Sequence, residues 1–250
     1  MTRVCDIYDY LCALAPLELQ MGFDNSGFQL GRKDAKVNSV LLALDVTEAV
    51  VDEAVKVGAQ LIVSHHPLIF TPLKSVQSEK LLKLIEHKIA VISMHTNLDI
   101  AEGGVNDVLI ELLGTKAECA LDSEGCGRVG TLPEAESFDS FLLRCKAALN
   151  ANGLRYYYAG KTVEHIAVMG GSGGDYIAAA AKMYCDTYVT ADIKYHQFLE
   201  AAELGINLID ADHFCTENPV IPVLCARLAE KFEDVSFKVS ETHGQLISFI

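Results

Sequence analysis

The sequence predicts an α/β protein made of two similar halves, each a mixed sheet flanked by helices. Residues 40–64 and residues 163–196 each read as a buried strand, a helix and a second strand that runs into polar residues. The chain of 250 residues also exceeds what one compact core usually holds, which favours two domains or an internal duplication.

The elements follow in order. DIYDYLCALAP spaces Ile7, Tyr8, Leu11, Leu14 and Ala15 as one helical face that stops at Pro16. VNSVLLALDVT is a continuous apolar run, the pattern of a strand covered on both faces. TEAVVDEAVKVGA follows as a helix with Thr47 as N-cap and Gly58 near its end, and QLIVS closes the unit as a parallel strand. KLLKLIEHKIAV gives a helix and a strand, VNDVLIELLG a helix ending at Gly114, and SFDSFLLRCKAALN a helix capped by Ser137. ECALDSEGCGRVG mixes glycine, serine and acidic residues without a period, so the division is expected near residue 125, giving halves 1–125 and 126–250. In the second half VEHIAVMGG, SGGDYIAAAAKMYC and DTYVTADIKYH repeat the strand, helix, strand order, and aligning Asp45 with Gly170 sets His65 near Asp192.

Composition narrows the function classes. With 50% hydrophobic and 22% charged residues the chain is an ordinary globular one. Its formal net charge of -14 repels polyphosphate backbones and makes duplex nucleic acid an unexpected partner. No apolar run would span a bilayer, and MTRVCDIYDY lacks the order of a signal peptide, so a cytoplasmic protein without a membrane partner is expected. The eight cysteines show no C-x-x-C pairing and read as small buried hydrophobes of a reducing compartment.

Candidate chemistry gathers at strand ends. In LIVSHHPLIF, His65 and His66 follow a buried strand and precede Pro67, so neighbouring imidazoles would reach different ions of a pair; the bland alternative packs one and exposes the other. AVISMHTNLD ends in His95, Thr96, Asn97 and Asp99. Asp99 is the better ligand, while His95 is open as a ligand, an orienting partner or an ordinary strand-end residue. Asp45 is expected to support a ligand rather than to be one. INLIDADHFCTENPV places His213 four residues before Glu217, on a helical turn or an irregular loop. Three imidazoles and two carboxylates exceed the needs of a mononuclear catalytic zinc site and suit two divalent ions, with zinc, iron, manganese and cobalt matching the mixed donors better than calcium. A cationic centre of this kind would accept an anionic substrate despite the acidic chain. GGSGGD at 170–175 reads either as a phosphate cradle or as a tight turn. Asp192, Lys194, Tyr195 and His196 read either as cationic and acid-base groups or as a helix start capped by Asp192.

The motifs FDNSGFQLG, ALDVT, SHHPLIF, HTNLD with EGGVND, GGSGG, TADIKYH and HF-x-TE occur in order from residue 23 to 217. Together they resemble the GTP cyclohydrolase 1 type 2 family, also called the NIF-three-like dinuclear-metal hexamer proteins. The resemblance covers nearly the whole chain, and SHHPLIF, HTNLD and HF-x-TE are its most specific parts. It implies two similar α/β halves, a homohexameric ring, and two metal ions in the cleft between the halves. It further implies that His65 and His66 take one ion each, Asp99 and His213 bind one each, and Glu217 bridges. Phe23 stands where the family commonly has tryptophan, which keeps an aromatic side chain. The implied activity is opening of the guanine ring of GTP by water, with release of formate and formation of dihydroneopterin triphosphate. His95 or His196 would move protons and Lys194 would meet the triphosphate. The alternatives are hydrolysis of another small phosphorylated or amide substrate, or a non-catalytic metal-binding or regulatory hexamer.

Overall fold

The computed structural model describes residues 1–250. The chain runs through helix α1 (Val4–Leu14), strands β1 (Gly27–Leu30) and β2 (Ser39–Ala43), helix α2 (Glu48–Val57), strand β3 (Leu61–Ser64), helix α3 (Glu79–Glu86), strand β4 (Ala90–Ser93) and the short helix α4 (Thr96–Ile100). It continues as α5 (Val105–Leu112), β5 (Arg128–Glu136), α6 (Phe138–Ala148), β6 (Arg155–Tyr157), β7 (Val163–Ser172), α7 (Ile177–Lys182), β8 (Thr187–Ala191), α8 (Tyr195–Leu204), β9 (Asn207–Asp210) and α9 (His213–Glu217). Helix α10 (Val220–Lys231) and strand β10 (Ser236–Val239) complete it. The local signals explain several boundaries. The Thr47 hydroxyl accepts from Val50 N–H at 3.2 Å to start α2, and Gly58, at φ +68°, ends it in the left-handed conformation that glycine adopts without strain. Ser137 likewise caps α6 by accepting from Ser140 N–H at 3.3 Å.

Two compact units result, each a five-stranded mixed sheet flanked by helices. In the first the strand order is β1-β4-β3-β2-β10, with β1 antiparallel to β4 and the remaining pairs parallel. In the second it is β5-β7-β8-β9-β6, with parallel β7, β8 and β9 between antiparallel β5 and β6. Both units therefore hold a β-α-β-α-β run (β2 to β4, and β7 to β9), and in both an earlier strand pairs antiparallel with the last of the three. Each sheet is buried by its own helices: Leu41, Ile62 and Val91 meet Val50, Val51, Ala54 and Leu84, while Val168, Val189 and Ile209 meet Leu109, Ile110, Phe141 and Cys145.

The units divide elsewhere than residue 125. The first comprises 1–102 and 220–244, the second 103–219 and 245–250. Two causes account for this. Strand β10 returns to pair with β2, aligning Phe237 with Val40, and carries α10 back with it. The polar stretch at 115–127 is an internal turn of the second unit, in which Cys119 bridges Val129 and Asp122 accepts from the N–H groups of Glu124 (3.0 Å) and Cys126 (2.8 Å). Glycine and serine there signal a turn whose backbone is satisfied locally, not a linker. No disulfide joins the cysteines, and no helix is long and apolar enough to cross a membrane.

Candidate metal centre

In the first unit the donors stand on the C-terminal edge of the parallel sheet, where each side chain emerges as its strand ends. His65 and His66 continue β3, and His95 follows β4 with Asp99 one turn into α4. Register brings these ends level, since Ser64 of β3 pairs with Ser93 of β4 and with Ala43 of β2. One ring nitrogen from each of His65, His66 and His95 lies within 4.8 Å of the others, and Asp99 Oδ1 is 3.6 Å from His65 Nε2. The imidazole His95 thus joins the cluster itself.

Every imidazole is held from behind. His65 Nδ1 lies 2.8 Å from the Met94 carbonyl, His66 Nδ1 2.7 Å from Asp45 Oδ1, and His95 Nδ1 2.8 Å from Asp24 Oδ1. An oxygen acceptor at Nδ1 holds the proton there and makes Nε2 the lone-pair nitrogen, the tautomer a metal ligand needs. Asp24 is itself held on several sides. Its side chain is buried, and Oδ2 accepts from the Ser26 hydroxyl (2.7 Å), Thr96 N–H (3.0 Å) and the Thr96 hydroxyl (2.5 Å). Burial alone would raise its pKa. The hydrogen bonds from His95, Thr96 and Ser26 outweigh burial and hold the carboxyl well below the usual range.

In the second unit α9 is a helical turn, so His213 and Glu217 share a face, and His213 Nε2 lies 3.0 Å from Glu217 Oε2. Asp212 starts the turn by accepting from Cys215 N–H at 3.2 Å. His213 Nδ1 rests 2.7 Å from Asp192 Oδ2, repeating the arrangement of the first unit. Asp192 (φ +56°) and Asp212 (φ +70°) both hold left-handed backbone that costs a non-glycine residue about 1–3 kcal/mol, and both address the α9 turn. Burial opposes a charge on His213, but the hydrogen bond and charge of Glu217, and then those of Asp192, raise its pKa to about 9. A cation between Nε2 and the carboxylate would satisfy both groups.

GGSGGD follows from the same geometry. Gly170 N–H donates to Asn106 Oδ1 (2.9 Å), Gly171 N–H to the Thr216 hydroxyl (3.0 Å) and Gly173 N–H to the Gly171 carbonyl (3.1 Å), so these amides are committed to the protein rather than to a phosphate. Gly171, at φ +67°, is a close approach: a Cβ there would collide with the Glu217 carboxylate and come within 3.1 Å of His213 Nε2. Lys194 and His196 are exposed where α8 begins, Lys194 N–H donating to Gln197 Oε1 at 2.9 Å. Asp192 serves His213 instead of capping that helix.

The protein matches the family model described as Duf34/NIF3 (NGG1p interacting factor 3) over residues 2–245. The chain belongs to the Duf34/NIF3 family. Among its relatives, a "GTP cyclohydrolase 1 type 2 homolog" of Clostridium perfringens is 35% identical, with 99% of this chain and 100% of that protein aligned. The "GTP cyclohydrolase 1 type 2" of Helicobacter pylori is 32% identical over 87% of this chain and 88% of its own. Among solved structures, a Bacillus cereus protein related to NIF3 superposes with a TM-score of 0.92 at 26% identity, covering 100% of this chain and 99% of that one. The histidine and carboxylate groups of this chain could hold a metal by their chemistry: imidazole nitrogens with anchored tautomers beside carboxylate oxygens suit a borderline divalent ion.

Proposed function

We propose that the protein is a dinuclear-metal-dependent hydrolase of the GTP cyclohydrolase type, converting GTP and water to dihydroneopterin triphosphate and formate. The observation that carries this reading is the shared anchoring of four imidazoles through Nδ1, by Met94, Asp45, Asp24 and Asp192. Such anchoring prepares Nε2 for a Lewis acid, and the names of the relatives supply the reaction class. In this reading His65, His66, Asp99, His213 and Glu217 would hold two divalent ions of zinc, iron, manganese or cobalt. Such ions lower the pKa of water and polarise a substrate oxygen.

The remaining work falls to the chain's own groups. His95 is the proton carrier: Asp24, kept ionised, steadies the imidazolium formed when Nε2 accepts a proton and restores the same tautomer when it is given up. Lys194 contributes a cation for the triphosphate and His196 a second proton carrier. The family resemblance also supports a cytoplasmic homohexamer. Metal-loaded protein should release formate from GTP, and His65→Ala should lose both bound metal and formate release. Absence of formate with every one of the four metals would refute the cyclohydrolase reading.

A further inference from the structure

Two phenylalanines beside the imidazole cluster stay largely exposed instead of packing into the core. Phe23 is 62% exposed and Phe70 49% exposed, although each adjoins a tightly held segment. Phe23 precedes Asp24, whose carboxylate is fixed by His95, Thr96 and Ser26. Phe70 follows Ile69, whose carbonyl accepts from Asn25 Nδ2 (2.6 Å) and whose N–H donates to Gln29 Oε1 (3.2 Å), while Gln29 Nε2 donates back to the Asn25 carbonyl (2.5 Å). Exposing two large rings on a pinned backbone forfeits burial without gaining mobility, the usual mark of a recognition surface.

The rings face each other with centroids 6.3 Å apart at 48°, too close and too tilted to admit a third ring between them. They present an open step. Phe70 meets His95 edge to face at 6.2 Å, and His95 lies 5.2 Å from His65 and 5.5 Å from His66, so the step runs directly into the reactive cluster. We propose that Phe23 and Phe70 form a stacking platform for the planar base of a purine nucleoside, holding it against the imidazoles. A planar base suits the step because it offers a π-face to an aromatic ring, whereas an aliphatic or sugar-only ligand would leave the ring faces unused, and the proposed substrate makes that base a purine. The proposal rests on the nucleotide-directed reading above and adds the groups that recognise the base.

The chain contains no tryptophan, so Phe23→Trp introduces a sole indole on the platform. With the metal-loaded, full-length F23W protein, guanosine and GTP should quench indole emission, while ribose 5-phosphate, which has no base, should not. By calorimetry Phe70→Ala should bind guanosine about 10- to 100-fold more weakly with metal content unchanged, and Phe70→Tyr should bind as the parent does. Guanosine that fails to bind, or binds F70A as tightly as the parent, overturns the platform. So does an F70A variant whose only change is a smaller assembly by sedimentation, since the rings would then serve a second copy of the chain. The two readings part cleanly: guanosine quenching without formate release from GTP sinks the cyclohydrolase and keeps the platform, and formate release with an unchanged KM in F70A does the reverse.

Discussion

An imidazole can bind a metal only in the right tautomer, and at His66 and His213 the tautomer is held by a carboxylate behind the ring. Asp45 and Asp192 each accept at a histidine Nδ1, 2.7 Å away in both cases. Replacing either with asparagine keeps the volume but allows the amide to turn its NH₂ toward the ring and favour the wrong nitrogen. Asp45→Asn and Asp192→Asn should each weaken metal binding about 10- to 100-fold in chelator competition, with an unchanged circular dichroism spectrum. His65, His66, Asp99, His213 and Glu217 are legible as candidate donors because strand ends and a four-residue interval announce them. Asp24 is not. Its partner His95 is 71 positions away, and a carboxylate in FDNSG has no periodicity to distinguish a buried anchor from a turn residue.

At the scale of elements, the α9 turn and the glycine loop are shaped to each other. Gly171→Ala adds a methyl group where the Glu217 carboxylate lies and also forces left-handed backbone on alanine. It should cost about 1–3 kcal/mol in urea unfolding and lower the metal content of the purified protein. Gly174→Ala is a useful companion, because its Cβ would meet the Gln197 amide instead of Glu217 and should lower stability with less effect on metal content. The sequence left this loop open between phosphate cradle and tight turn because both use the same residues. What decides is the destination of the N–H groups, and Asn106 and Thr216, which receive two of them, lie far along the chain. Strand β5 escaped notice for another reason: Pro133 and the irregular pairing between Thr131 and Glu136 break its alternation, which an edge strand tolerates.

For the molecule as a whole, the repeated strand, helix, strand pattern was legible, whereas the route of the chain was not. Pairing of β10 with β2 depends on segments nearly two hundred positions apart, beyond the reach of local propensity. Its closure is fastened by Glu53 of α2, which accepts from the Ser240 hydroxyl (2.5 Å), Glu241 N–H (3.1 Å), Thr242 N–H (3.2 Å) and the Thr242 hydroxyl (2.8 Å). Burial disfavours the Glu53 charge, but these bonds, led by Ser240, outweigh it and depress its pKa. A depressed pKa contributes stability that is complete above the unfolded value of about 4.3 and fades as pH falls through the folded value. Because solvent screens this partly exposed group, Glu53→Gln should lose about 1 kcal/mol or less near neutral pH, and urea midpoints of variant and parent should converge on acidification below about 4. A gap that persists unchanged in acid would assign the effect to packing.

The return of β10 also bears on the order in which the protein can be made. A ribosome delivers β2, β3 and β4 early, then the whole of 103–219, and only afterwards the strand that covers the outer edge of β2. Throughout that interval the nascent first unit offers an unpaired row of backbone donors and acceptors to any neighbouring chain. The second unit, nearly contiguous, has no comparable wait. Chains released before Ser236 should consequently aggregate through the uncovered edge of β2, which sedimentation of chains truncated there would show.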